Sequence, residues 1–189
     1  MSTPARRLAT WEDVASLPEG DRTEVLAGEL YAGPSPLPRH GRVQGTLSHQ
    51  VGGPFDFGRD GPGGWWIIVE VDAELTRHDV LRPDLSGWRR QRLPLFPDER
   101  PIRVVPDWVC EVTSPSSVRA DKVVKPRIYL AAGVPFLWTV DPEERLLEAF
   151  ESRDGAWLRL GVWGDGDVAR IAPFDAVEID VGLLFPPTA

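Results

Sequence analysis

The stretch DWVCEVTSPSS, Asp107 to Ser117, sets the frame for the rest of the chain. Trp108-Val109-Cys110 is apolar and β-prone, so Asp107 to Thr113 reads as a buried strand. Four residues follow that favour helix N-caps and turns, Ser114 to Ser117. A strand feeding a helix is the element of a mixed α/β architecture. Glu111 stands late in this apolar strand, where a carboxylate must be solvated, paired or bound to a cation. Downstream lies SVRADKVVKPRIYLAAG. Of 21 basic residues in the chain only two are lysines, Lys122 and Lys125, and both lie in this segment.

Working outward, the helix after the strand should end before Gly133, a good C-terminal cap. PFLWTVD is the next apolar strand. RLLEAFES, AWLRLGVW and DVARIAPF follow with Asp-Gly turns between them and predict an antiparallel meander. Upstream, Thr10-Trp11-Glu12-Asp13 reads as an N-cap with acidic first-turn residues, opening a short helix from Trp11 to about Leu17. TEVLAGELY is a hairpin about Ala27-Gly28. GPSPLP is a loop, and a helix from about Arg39 to Val51 follows. GGPFDFGRDGPGG reads as a flexible loop. WWIIVEVD, AELT and VLRPDLSGW read as strands, and RRQRLPLFPDERPIRVVP as a Pro/Arg-rich connection. The expectation is one domain over residues 1–189, α/β or α+β, with a mixed central sheet, a few flanking helices and a C-terminal meander. Neither a βαβαβ alternation nor a glycine-rich phosphate loop is present, which argues against nucleotide-binding folds.

Composition narrows the function. The chain has 189 residues, eight tryptophans and nineteen prolines. The one cysteine, Cys110, excludes an internal disulfide and a multi-cysteine zinc site, and reads as a buried thiol. The net charge of −8 argues against broad non-specific nucleic-acid binding, though not against a local basic groove. No secretory signal and no membrane-length apolar run is apparent, so a soluble cytoplasmic protein is the default expectation.

Three features converge. Arg82-Pro83-Asp84 lies in an apolar strand. Glu111 lies in the next convincing one. Lys125 follows in the series Asp121, Lys125, Tyr129, spaced to share one helical face. Two carboxylates on neighbouring strands can hold a hard divalent cation, and a nearby ammonium can orient water and offset transition-state charge. Each residue also has a plain alternative. Asp84 alone could be a strand-end carboxylate, Glu111 an arginine salt bridge, Lys125 a surface residue and Glu24 a paired hairpin charge. His40 and His49, nine residues apart, fall on opposite helical faces and should not share a metal. His40 reads more readily as a cap or surface residue. His78 sits in a turn with no role. The cluster Trp88 to Arg92 could place Arg89, Arg90 and Arg92 on phosphates, with a solvated loop as the plainer reading.

The segments TEVLAGELY, PRHG, VLRPDLSGWRR, PDWVCEVTSPSS, DKVVKPRIYLAAGV and FLWTVDP, in this order from about Trp11 to Leu184, resemble the Uma-two family of restriction endonucleases, which has the PD-(D/E)XK nuclease fold. The resemblance implies that Asp84 and Glu111 are metal ligands for Mg²⁺ or Mn²⁺. It places the family lysine at Lys125 on the helix, since Thr113 occupies the position two after Glu111 where the wider fold often has it. It implies a supporting role for Glu24, with Glu74 and His40 at less certain positions. DNA is the implied substrate, and a homodimer the expected assembly, because cutting both strands takes two sites. Pro126 directly after Lys125 could kink the helix and re-aim that side chain, leaving Lys122 as the alternative. A second reading is a nuclease-fold binding or interaction module without cleavage. Convergence of Asp84, Glu111 and Lys125 on one concave site favours the enzyme; carboxylates neutralised by arginines would favour the module.

Overall fold

Two sheets meet where Arg82-Pro83-Asp84 crosses from one to the other. The structure, a computed structural model, describes residues 7–33, 35–115 and 119–187. Ser116 and Ser117, two of the expected cap residues, and Pro34 of the GPSPLP loop lie outside them.

The smaller sheet contains β1 (Thr23–Leu26), β2 (Glu29–Ala32), β4 (Ala73–Thr76) and β5 (Asp79–Leu81), in the order β2-β1-β5-β4. The larger sheet contains β3 (Trp65–Val69), β6 (Leu85–Arg89), β7 (Trp108–Val112), β8 (Phe136–Asp141), β9 (Leu146–Arg153) and β10 (Ala156–Gly164). Its order is β10-β9-β8-β7-β6-β3. Only β7 and β8 run parallel, and the crossover between them carries α3 (Lys125–Ala132); every other pair in this sheet is antiparallel. Parallel neighbours need such a crossover, which is why the strand-then-helix reading of DWVCEVTSPSS held.

β7 is buried along its whole length. Trp108, Cys110 and Val112 face the main core, built with α2 (Pro38–Val51) through Val43, Leu47 and Val51. Val109 faces the opposite way, into a second cluster with Tyr129, Leu26 and Leu81. The period-2 alternation therefore turns Glu111 with Val109, toward α3 and the smaller sheet.

Three segments differ from expectation. VLRPDLSGW is not one strand: β5 ends at Leu81 and β6 starts at Leu85. Pro83 offers no ladder donor and restricts Arg82, so the chain turns there and changes sheets. Asp84 thus sits at a corner and not within a strand. The start of GGPFDFGRDGPGG is not a loop, because Gly52–Asp56 continues α2 as a π-helical turn that buries Phe55. DVARIAPF does not extend the meander. Its β11 (Val168–Ala169) pairs with β12 (Ile179–Asp180) in a separate ladder. The reason is the core: Phe174 packs against Phe55, Trp65, Trp108 and Trp138 with ring centroids 4.7–5.6 Å apart. The meander comprises β8, β9 and β10.

α1 (Trp11–Ala15) begins as read, with the Thr10 backbone N–H donating to Asp13 Oδ2 at 2.9 Å. α3 ends on Gly133, whose φ of 82° is the left-handed cap expected of glycine. Among the described residues no helix is long and apolar enough to cross a membrane.

Candidate active site

β1, the β5–β6 corner, the end of β7 and the start of α3 surround one small cavity of about 50 Å³, room for a few water-sized groups. Glu24, Asp84, Glu111 and Lys125 all line it, together with Arg22, His40, Arg82 and Asp121. The four residues expected to form a site are thus brought together, and all four are buried.

Lys125 is the hub. Its Nζ is 3.1 Å from Glu24 Oε2, 3.1 Å from Glu111 Oε2 and 3.6 Å from Asp121 Oδ1. Pro126 does not re-aim it. The proline stands second in α3, and Lys125 before it keeps helical backbone angles, φ −58° and ψ −44°. A π-helical turn, Ala120–Val124, leads into it. Lys122 points elsewhere and pairs with Asp141 Oδ2 at 2.8 Å, so of the two lysines it is Lys125 that lines the cavity.

Glu111 accepts from Lys125 on Oε2 and from the Tyr129 hydroxyl on Oε1. The spacing Asp121, Lys125, Tyr129 does put all three on one face, as the sequence periodicity required. Burial pushes the Glu111 carboxyl well above the ordinary carboxylate range. Lys125 works against that rise, while Asp121, Asp84 and Glu24 reinforce it. Burial would lower the Lys125 pKa, but Glu111, Glu24 and Asp121 more than reverse this and hold the ammonium firmly protonated. Burial and the Glu111 charge likewise keep Tyr129 a phenol, a donor.

Asp84 is held differently. His40 Nε2 lies 2.7 Å from its Oδ1, and the Val112 backbone N–H donates to its Oδ2 at 2.7 Å. Glu24 Oε1 accepts from the Arg82 backbone N–H at 2.7 Å. Among the described residues no arginine side chain pairs with Glu24, Asp84 or Glu111. The guanidinium of Arg82 turns away to Asp72 at 2.8 Å.

His40 corrects the sequence reading. It is neither a cap nor a surface residue but is buried on α2 against Asp84. Burial alone would lower its pKa; the Asp84 hydrogen bond and charge, with Glu70, outweigh this and raise it. Two residues were missed. Glu70, just past β3, takes both guanidinium nitrogens of Arg22, at 2.9 and 3.1 Å. Gln44 Nε2 donates to Glu70 Oε1 and to the Asp84 carbonyl, each at 3.1 Å. A usable signal existed, because His40 and Gln44 are i and i+4 on one helix. Glu74 is outside the cavity and pairs with Arg103 at 3.0 Å. His78 and His49 also lie elsewhere, His78 Nδ1 meeting the Ala9 carbonyl at 2.8 Å.

Arg89, Arg90 and Arg92 cluster at the other end of β6, roughly 16 Å from Asp84 at strand rise. Arg90 pairs with Asp56 at 2.7 Å and stacks on Trp66; Arg92 pairs with Asp107 at 2.8 Å; Arg89 stacks on Trp65. They do not line the cavity.

The fold has a counterpart among known proteins. Residues 11–182 match the family described as Uma2, putative restriction endonuclease, and the chain belongs to that family. Among solved structures it is similar to a crystal structure described as a putative nuclease belonging to DUF820 from Anabaena variabilis. That likeness has a TM-score of 0.72 at 21% identity, covering 93% of this chain and 97% of the other. It establishes the restriction-endonuclease-like fold. No curated protein matches the chain.

Proposed function

We propose that this chain is a metal-dependent endonuclease that hydrolyses phosphodiester bonds in DNA. One observation carries the metal dependence: too little positive charge meets the buried carboxylates. Glu24 and Glu111 lean on a single ammonium that also meets Asp121. Among the described residues Asp84 meets the His40 imidazole and the Val112 backbone N–H, and no arginine or lysine. Buried carboxylates this poorly compensated favour a cation.

The donor set fits one. Each carboxylate offers about four lone-pair sites, and among the described residues each oxygen of Asp84 and Glu111 accepts a single hydrogen bond. Asp84 and Glu111 would hold Mg²⁺ or Mn²⁺, whose chemistry is to polarise a phosphoryl oxygen and lower the pKa of bound water. Lys125 stays an ammonium and so positions water and screens transition-state charge; it is not the base. Tyr129 and Lys125 fix the Glu111 carboxylate in place, and Glu24 fixes the ammonium. Family membership supports a nucleic-acid substrate.

The test is calorimetric titration of Mg²⁺ and Mn²⁺ into wild type and Glu111→Ala, with plasmid nicking assayed in the same samples. Wild type should bind and nick. Glu111→Ala should lose binding and at least about 10³-fold of the nicking rate, several kcal/mol of charge stabilisation. Binding without nicking in wild type would replace the enzyme by a non-cleaving module. No binding would make Glu111 a structural carboxylate.

A further inference from the structure

A phosphodiester brought to this cavity meets mostly negative charge. Glu24, Asp84, Glu111 and Asp121 line it, and the Lys125 ammonium is already engaged by three of them. A dication on Asp84 and Glu111 offsets part of this charge, and a cation facing the incoming phosphate would offset more. Arg89, Arg90 and Arg92 do not line the cavity, but Arg22 does. Arg22 is also the charged lining residue most open to solvent. Its side chain is 29% exposed, against 10% or less for every other charged residue that lines the cavity. It therefore marks the mouth.

The fold holds that guanidinium in place. Arg22 directly precedes β1, and the Gly33 N–H donates to its carbonyl at 3.3 Å, so the hairpin fixes its main chain. Strand alternation turns residues 22 and 24 to one side, the side of the cavity. Glu70 accepts from Nη1 at 2.9 Å and from Nη2 at 3.1 Å, and Gln44 braces Glu70 in turn. A carboxylate oxygen of Glu70 lies within 4.8 Å of one of Asp84, which sets the guanidinium beside a proposed metal ligand. Glu70 engages one N–H on each terminal nitrogen, and a guanidinium has donors beyond those. Arg22 can thus keep its partner and still donate to a phosphate, which its planar fork suits better than an ammonium would.

We infer that the Arg22 guanidinium donates to a non-bridging oxygen of the substrate phosphodiester at the mouth of this cavity, with Glu70 as its positioning residue. The inference rests on the nuclease reading above and names the residue that grips the phosphate. An Arg22–Glu70 pair kept for stability alone would leave the salt dependence of DNA binding untouched when broken.

The test reads DNA binding apart from cleavage. A fluorescent duplex oligonucleotide is titrated with the full chain by anisotropy at about 50 to 200 mM salt. Ca²⁺ is the metal, because its longer bonds activate water less than those of Mg²⁺. Nicking with Mn²⁺ is followed on the same proteins. Wild type should bind, its log affinity falling linearly with log salt. Arg22→Gln should bind about 10–100-fold more weakly, the loss of a charged hydrogen bond. Its salt slope should be shallower by about 0.9, one phosphate contact. Arg22→Lys should keep the slope and lose part of the affinity, since the charge stays and the fork goes. Glu70→Gln breaks the same ion pair but keeps the guanidinium, and should keep the slope. Arg22→Gln that binds like wild type, or Glu70→Gln that reproduces its loss, overturns the inference. Where Arg22→Gln does not fold, Arg22→Lys decides, and wild-type affinity there overturns it. Nicking by wild type that Arg22→Gln leaves unchanged overturns the inference and keeps the nuclease. Binding that depends on Arg22 without nicking upholds the phosphate contact and overturns the endonuclease. Wild type that binds no DNA overturns both.

Discussion

The two ends of β6 use the same ingredients to opposite effect. At the Arg89 end, acids are closed off one by one. Asp107 takes the Arg92 guanidinium and the Arg89 backbone N–H, and Asp56 takes Arg90 and the Ile67 N–H. At the Asp84 end, Glu24, Glu111 and Asp121 converge on one lysine. Acid–arginine pairs with good geometry complete a structure. Carboxylates crowded about one ammonium leave negative charge unbalanced and concentrated in a small cavity. On the reading proposed above, the contrast separates carboxylates that hold the fold from those that would hold a cation.

The sharpest way to break the contrast is to remove the shared cation. Lys125→Met keeps length and removes charge. It strands Glu24 and Glu111 in the interior, and loss of one partner of a buried pair costs about 3–5 kcal/mol. Urea denaturation should show this as a lower midpoint with an unchanged slope. Millimolar Mn²⁺ or Mg²⁺ should restore part of the loss, because a ligand that binds only the folded state stabilises it. A loss that no divalent ion relieves would make this end structural too.

The matching change at the other end is Arg92→Ala. Arg92 is 46% exposed on its side chain and Asp107 keeps the Arg89 N–H. Asp107 is buried but keeps that N–H, so the cost should stay below the roughly 3–5 kcal/mol of breaking a fully buried pair. Divalent ions should not alter it. A cation-sensitive Arg92→Ala would erase the distinction between the ends.

How much of this was legible in the sequence follows the range of the interactions. β7, α3 and the hairpin were readable because apolar periodicity and cap residues act over a few positions. Glu111, Lys125 and Tyr129 were readable because strand alternation and helical spacing aim them. Asp84 was found, but its setting was misjudged: Pro83 was read through, and the corner between sheets was missed. DVARIAPF has the alternation of a strand, yet Phe174 is drawn into a tryptophan-rich core assembled from β3, β7 and β8, which no local pattern reports. Glu70 and His40 belong to different elements that meet because α2 packs on the larger sheet through Val43, Leu47 and Val51. Their partnership is a tertiary fact, and only the i,i+4 relation of His40 and Gln44 leaves a trace in the chain.

The smallest effect concerns Lys122, the lysine that faces away from the cavity. Asp141 sits at the end of β8 and accepts from Lys122 and from the N–H groups of Glu143 and Glu144, at 2.8, 3.1 and 3.2 Å. Burial raises the Asp141 pKa, but these hydrogen bonds and the Lys122 charge outweigh it, so the folded value lies below the ordinary one. A depressed folded pKa stabilises the protein above the unfolded value, near pH 4, and that contribution is lost as pH falls through the folded pKa. Lys122→Ala should therefore lower stability slightly at pH 7 and converge with wild type in the acid range. The pair is half-exposed, so the difference should stay under about 1 kcal/mol and shrink with salt. Urea midpoints measured from pH 7 to pH 3 would check it. A difference that grows toward low pH would place Lys122 in some contact other than the one with Asp141. A difference relieved by Mn²⁺ would tie Lys122 to the cavity, and the assignment of the site to Lys125 alone would fall.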